Sequence, residues 1–305
     1  MRLLAAAPRA LTPLALAAAA LAIVVPSGAL AARSDLLLAL LVLATALGIS
    51  AADLAGLRAH LGEVAFLSIV PLVVLSAVAW AAGRPFAPPI RDGLLAVGLS
   101  SSEVASVGLV ALAGADATIA LGAVTGSLVL AALIGPVAIG LLAGGAGHAS
   151  TGRLVGRFAL VVIVPLAIGV AARSAPRLAG RLQAFDAERD GVAALTVAVL
   201  VYAALSGTRG AHGLGAALAA SVVFLAVSGA LGELWRRRAA PGAAAIPGAL
   251  AIAMRDFAVA AALAEQAFGP RAAAVPGVYG VVMLLAGSVT AGRFARGRAP
   301  EPPSD

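Results

Sequence analysis

The sequence predicts an all-α, polytopic membrane protein: about ten transmembrane helices in two inverted five-helix repeats, with helices four and nine broken and crossed. Three observations predict it. The chain is 62% apolar and only 11% charged, where a soluble domain needs roughly 25% charge to cover its surface. Apolar stretches long enough to cross a bilayer recur along its whole length. Two of those stretches are interrupted by charge near their middles, about half the chain apart.

Taken in order, the stretches lie at 10–26, 35–52, 61–82, 93–113, 117–145, 156–173, 190–206, 211–234, 246–268 and 272–292. The first has two readings. Met1–Arg2, the apolar run and the Ala-rich residues near Ala32 resemble a cleaved secretory leader. Pro26 and Arg33 equally suit a loop after a retained helix, which the repeat below requires. The fourth stretch carries Glu103, and the fifth is overlong and holds Pro136, so it tilts or kinks. The ninth carries Arg255 and Asp256. The tail 299–305 is polar and Pro-rich and is expected to be disordered.

Val110–Ala113 follows the first interruption and Ala261–Ala264 follows the second, 151 positions later. The repeats are therefore 1–150 and 151–298. Five crossings is an odd number, so the second repeat enters the membrane upside down. This plan places a binding site at the midplane, where the broken helices meet.

All 21 basic residues are Arg, and the formal charge is +7. They lie mostly between apolar stretches, which is the positive-inside pattern and not a nucleic-acid groove. With ten crossings, thirteen Arg fall on one side and seven on the other. Both termini are then cytoplasmic, in a multi-pass inner (plasma) membrane protein whose surroundings are the lipid bilayer. Cysteine is absent, which excludes thiol and disulfide chemistry. His60, His148 and His212 sit at span ends without metal-ligand spacing, so no metal site is expected. No HExxH, GxSxG or Walker A pattern occurs, so the sequence offers no enzyme and no nucleotide-driven pump.

A charge at mid-bilayer costs about 2.5–3.5 kcal/mol on insertion scales, so each one present has a use. Glu103 and Arg255 stand one position apart in the two repeats. If the spans cross, the two can meet as a structural ion pair. They can also contact an anionic substrate or carry a proton. Asp256 points to another face of its helix, to pair elsewhere or to titrate. Ser101 and Ser102 supply hydroxyls at the first break, against the plainer alternative of back-bonding to the preceding turn. Met254 lies in the second break. Ser106, Thr118, Thr125 and Ser127 are further polar positions on the fourth and fifth stretches, and any single one reads as a helix-packing contact before it reads as a ligand. Ser101, Ser102, Glu103, Ser106, Thr125, Ser127, Met254, Arg255 and Asp256 form the candidate substrate or ion site.

Residues 100–136, with a small-residue break, a turn Leu112-Ala-Gly-Ala-Asp116 and a Ser/Thr-bearing helix ending at Pro136, resemble helices four and five of the bile acid:sodium symporter family. Residues 251–292, reading AIAMRDFAVAAALAEQ and then a loop with Ala-Val-Pro276 and a Gly-Ser helix, resemble its helices nine and ten. Together they cover about a quarter of the chain. The resemblance implies a panel domain of helices 1, 2, 6 and 7, a core domain of helices 3–5 and 8–10, and sodium bound behind the crossing. Position by position, the family's sodium-ligating Glu falls on Ala251, its Gln on Arg255 and its Asn on Asp256. Ser106 keeps the Ser of a Ser-Asn pair, while Val107 replaces the Asn. The family's Gly-Gly break is Ser102-Glu103. Losing oxygen ligands while gaining a guanidinium implies that sodium coupling at the usual sites is lost or altered, which leaves Na⁺ coupling, H⁺ coupling and uniport open, and no other cofactor is implied.

The function expected is a secondary carrier of a small organic anion working by alternating access. Arsenite-type or other small-solute efflux within the same superfamily is the alternative, and a non-transporting scaffold or an integral-membrane enzyme are lesser ones.

Overall fold

The computed structural model describes residues 11–31, 33–142, 150–206, 213–239 and 244–296. His148, His212, Arg2, Arg9, Arg209, Arg298 and the tail 299–305 lie outside the described residues. The described chain is all helix apart from turns and one isolated bridge. Its principal helices are α1 Leu11–Val24, α2 Ser34–Ala46, α3 Leu61–Gly83, α4 Pro88–Leu99, α5 Ala105–Leu112 and α6 Ala117–Leu142. After these come α7 Thr151–Ser174, α8 Pro176–Ala184, α9 Asp186–Ser206, α10 Leu214–Arg238, α11 Ala245–Ala253, α12 Phe257–Phe268 and α13 Pro270–Arg296.

Each predicted stretch coincides with helix. Among the described residues, six helices are by themselves long and apolar enough to cross a bilayer, and α1, α2 and α12 are shorter apolar helices. The stretches predicted to be broken are broken: 93–113 divides into α4 and α5, and 246–268 into α11 and α12.

Local chemistry sets these ends. Pro88 opens α4, where a missing N–H costs nothing. Gly269, at φ 90°, closes α12 in a conformation that L side chains rarely adopt. Within α7 a π-turn at Ala159–Ile163 precedes Pro165, whose ring cannot follow a regular α-turn.

Two departures from the sequence reading stand out. The second stretch stops at Ala46, and a short helix Ala51–Gly56 starts at Ser50, whose side chain and that of Asp53 cap each other's backbone amides. The Arg-bearing connection after residue 173 is helical, as α8, with Arg177 and Arg181 on it and Leu178 and Phe185 exposed. That distribution suits a helix lying in the membrane interface. At nine residues it is too short to register as a span.

Packing divides the helices into two groups. α9 packs on α1 and α2, and α2 on α7. α3–α6 and α10–α13 pack among themselves, with α12 on α13, α10 on α11 and α3 on α4. The groups touch where α9 meets α13, α7 meets α6 and α2 meets α12. Small residues permit close approaches: a Cβ on Gly98 would meet the Leu75 carbonyl at 2.6 Å, and one on Gly232 the Ala249 carbonyl at 2.5 Å.

Candidate functional site

The two interrupted helices unwind at the same place and solve each other's backbone problem. α4 ends where Ser100 turns extended, at ψ 169°, and α11 ends where Met254 does, at φ −109° and ψ 120°. Unwinding inside a bilayer strands N–H and C=O groups that water cannot reach. Here the strands formed by the two breaks pair. Ser102 and Arg255 form an antiparallel bridge. Asp256 N–H donates to the Ser101 carbonyl at 2.8 Å, and Glu103 N–H to the Met254 carbonyl at 3.1 Å.

Neighbouring helices supply the remaining partners. The Ser102 amide donates to Ser127 Oγ of α6 at 2.9 Å, and the Ser102 hydroxyl to the Ala251 carbonyl at 2.9 Å. The Arg255 amide donates to the Tyr279 hydroxyl of α13 at 3.0 Å. Serine at these positions thus does more than back-bond to its own helix. Ser102 and Ser127 tie the breaks together.

The crossing holds two helix N-termini and two C-termini, and the charges are sorted accordingly. Asp256 caps α12, its Oδ1 accepting from Ala258 N–H at 2.9 Å and Val259 N–H at 3.0 Å. Glu103 Oε1 accepts from Ala105 N–H at the start of α5, at 3.3 Å. The Arg255 guanidinium reaches the other way, its Nη2 3.5 Å from the Gly98 carbonyl near the end of α4.

This sorting overturns one expectation. Glu103 and Arg255 do not form an ion pair: among the described residues Glu103 Oε2 and Arg255 Nε and Nη1 are buried without hydrogen-bond partners. The carboxylate is drawn to amides and the guanidinium to a carbonyl, at opposite dipole ends, so the two side chains part. Arg255 is fully buried at 0% exposure, the largest side chain so enclosed, and this isolation is what needs a function.

The sequence-derived candidates are brought together, in three roles. Ser102, Ser127 and Met254 build the crossing, with the Met254 side chain packed against Gly287. Glu103, Arg255 and Asp256 carry its charge. Ser101, Ser106 and Thr125 hold buried hydroxyls without partners. The Ser101 hydroxyl lies beside the Asp256 carboxylate but outside hydrogen-bond geometry.

A cavity of about 10 Å³, room for about one water, lies between the two helix groups. Its wall includes Asp256, Thr125 and Val104 from one group and Val42, Thr45 and Leu166 from the other. Asp256 is therefore both a helix cap and the charged group facing this cavity. Arg255 is not in its wall. Two contributors escaped the sequence reading. Thr45 back-bonds to Leu41 and differs little from a packing threonine. Tyr279 had a weak signal, as one of only two tyrosines in the chain.

Crossed discontinuous helices inside a polytopic helical membrane protein, with polar groups at the break, define the architecture of membrane carriers. The chain belongs to the SBF-like CPA transporter family, whose model matches residues 11–283. This is a transporter family of the bile acid:sodium symporter-like kind, in agreement with the resemblance of residues 100–136 and 251–292. A comparison with curated proteins finds no match.

Proposed function

We propose that this protein is a secondary carrier of a small organic anion, driven by protons and working by alternating access. The observation that carries the proposal is the double position of Asp256, which caps α12 and at the same time faces the cavity between the helix groups. With Asp256 ionised, the positive end of α12 is already occupied by a protein carboxylate. An incoming anion would meet that charge at low dielectric. Protonation removes the repulsion and leaves the Ala258 and Val259 amides to a new acceptor. Proton and anion then travel together.

Arg255 supports protons over sodium. Na⁺ requires several oxygen ligands, and the oxygens of Glu103, Asp256, Ser101 and Ser106 are gathered at the crossing. Arg255, in the same crossing but turned toward the Gly98 carbonyl, adds a fixed positive charge with two unpaired nitrogens that disfavours a second cation. Glu103 and Asp256 lie within electrostatic reach of each other. With both ionised beside Arg255 the cluster carries one net negative charge, and one proton makes it neutral. The movement would be the core group, α3–α6 and α10–α13, rocking against the panel group of α1, α2 and α7–α9. The Arg asymmetry of the sequence supports a plasma-membrane orientation with both termini cytoplasmic.

The test is uptake of a panel of radiolabelled small carboxylates into proteoliposomes under either a pH gradient or a Na⁺ gradient. Accumulation that follows the pH gradient in sodium-free buffer is expected. Accumulation that requires Na⁺ and ignores pH would overturn the coupling, and transport of neutral solutes alone would overturn the anion assignment.

A further inference from the structure

At one end of the molecule three helices are tied by a chain of polar side chains that the crossing does not use. Gln266 of α12 donates through Nε2 to Asp35 Oδ1 at 2.6 Å. Arg157 of α7 holds the other oxygen of Asp35 through Nε at 2.5 Å. Ser34, beside Asp35 on α2, donates to Glu265, beside Gln266 on α12. α2 and α7 belong to one helix group and α12 to the other, so the chain spans the seam between them. Asp35 also stands in the first turn of α2, where the helix dipole favours a carboxylate.

The seam is not tied this way at the opposite end. There the described side-chain bond between the groups joins Thr12 to Ser288 at 3.1 Å, is uncharged, and is exposed. The cavity residues Leu41 to Ile49 follow Asp35 along α2 and its C-terminal turn. At about 1.5 Å per residue, roughly 9–21 Å separates them from the tie. The polar chain therefore closes one end of the seam, and the cavity lies beyond it.

We infer that Ser34, Asp35, Arg157, Glu265 and Gln266 form a latch that holds the two helix groups shut at the membrane face bearing Arg153, Arg157 and Arg271. The inference rests on the alternating-access reading for its use, but not for its test. Opening that face requires the Asp35–Gln266 and Ser34–Glu265 bonds to part, while the Arg157–Asp35 pair stays within its own group. Arg157 thus keeps Asp35 in place for re-closure. A closed latch favours the conformation whose cavity is reached from the opposite face.

The chain has no cysteine, so paired spin labels can be introduced without other changes. One label pair at Arg153 of α7 and Arg271 of α13 reports the latch face, and a second at Arg58, in the turn Leu57–His60 that leads into α3, and Arg177 of α8 reports the opposite face. Distances are measured by double electron–electron resonance on purified protein in nanodiscs. Asp35→Asn with Gln266→Ala should add a longer Arg153–Arg271 population and shorten Arg58–Arg177. Lengthening of the first with no change in the second would uphold the latch and contradict rigid rocking of the groups. Unchanged distances at both faces would overturn the latch. If that variant does not give folded, monodisperse protein, Ser34→Ala with Gln266→Ala, which keeps the Arg157–Asp35 pair, decides in the same way.

Discussion

Ser102 and Arg255 face each other across a single antiparallel bridge, the only such pairing among the described residues, and it fastens α4–α5 to α11–α12 where both have unwound. The bridge explains how irregular backbone persists away from water: each break supplies the partners that the other lacks. Much of the site's behaviour depends on that mutual satisfaction.

Ser127 is the test of it on a third helix. Its hydroxyl accepts from the Ser102 amide and donates a hydrogen bond to the Val124 carbonyl. Ser127→Ala leaves a buried N–H without a partner, which costs about 1–3 kcal/mol. A fall of that size in unfolding free energy is expected, with Ser127→Thr close to wild type. No loss in the alanine variant would mean that the Ser102 amide has another partner.

Asp256 carries two roles that two substitutions separate. Asp256→Asn keeps an acceptor for the Ala258 and Val259 amides but cannot take up a proton. Asp256→Ala loses both, and loss of a helix cap costs about 0.5–2 kcal/mol. The asparagine variant should hold its thermal stability and transport without dependence on the pH gradient. The alanine variant should lose stability as well. PH-driven accumulation by the asparagine variant would move the coupling role to Glu103.

Gly98 marks the tightest seat of the crossing against α3. An added methyl would lie 2.6 Å from the Leu75 carbonyl and 2.7 Å from Ala79 Cβ. Gly98→Ala is expected to cost about 1–3 kcal/mol by overpacking and to slow transport, because the Gly98 carbonyl is also the partner of Arg255. Gly108→Ala, with open space around it, serves as the neutral control.

Outside the membrane the pH response is simpler. At the turn before α6, hydrogen bonds from the Thr118 side chain and backbone hold the Asp116 carboxyl below the usual aspartate range. A depressed folded-state value means that the stabilisation is present at neutral pH and is lost as pH falls through that value. The group is mostly exposed, so the effect is under about 1 kcal/mol. Asp116→Ala should therefore lower the melting temperature slightly at neutral pH, with the gap to wild type closing in strong acid. A gap that widens with acid would contradict the sign.

How far the sequence reached follows from what each signal is made of. Apolar length is additive along the chain, so every predicted stretch coincides with a helix. The interruptions at Glu103 and Arg255–Asp256 were legible because charge in an apolar run is expensive. Their partnership was only half legible. Repeat symmetry placed Glu103 and Arg255 together, but could not show that helix dipoles draw the carboxylate to α5 and the guanidinium to α4. Ser102 and Ser127 were visible as polar residues, while their bonds to backbone groups exist only once the helices cross. Tyr279, Thr45 and the Asp35–Gln266 bond depend on inter-helix packing, for which a single sequence carries no signal.

Pairing the two breaks brings two carboxylates and one guanidinium into a buried crossing, and in the proposed mechanism a single exchangeable proton balances them. Infrared difference spectroscopy of the purified protein in lipid, titrated with pH in sodium-free buffer, observes that proton directly. The account predicts a protonated-carboxyl C=O band that disappears with rising pH in the wild type and is absent from the Glu103→Gln, Asp256→Asn double variant. The same band in both proteins, or a wild-type band that responds to added Na⁺ and not to pH, would contradict it.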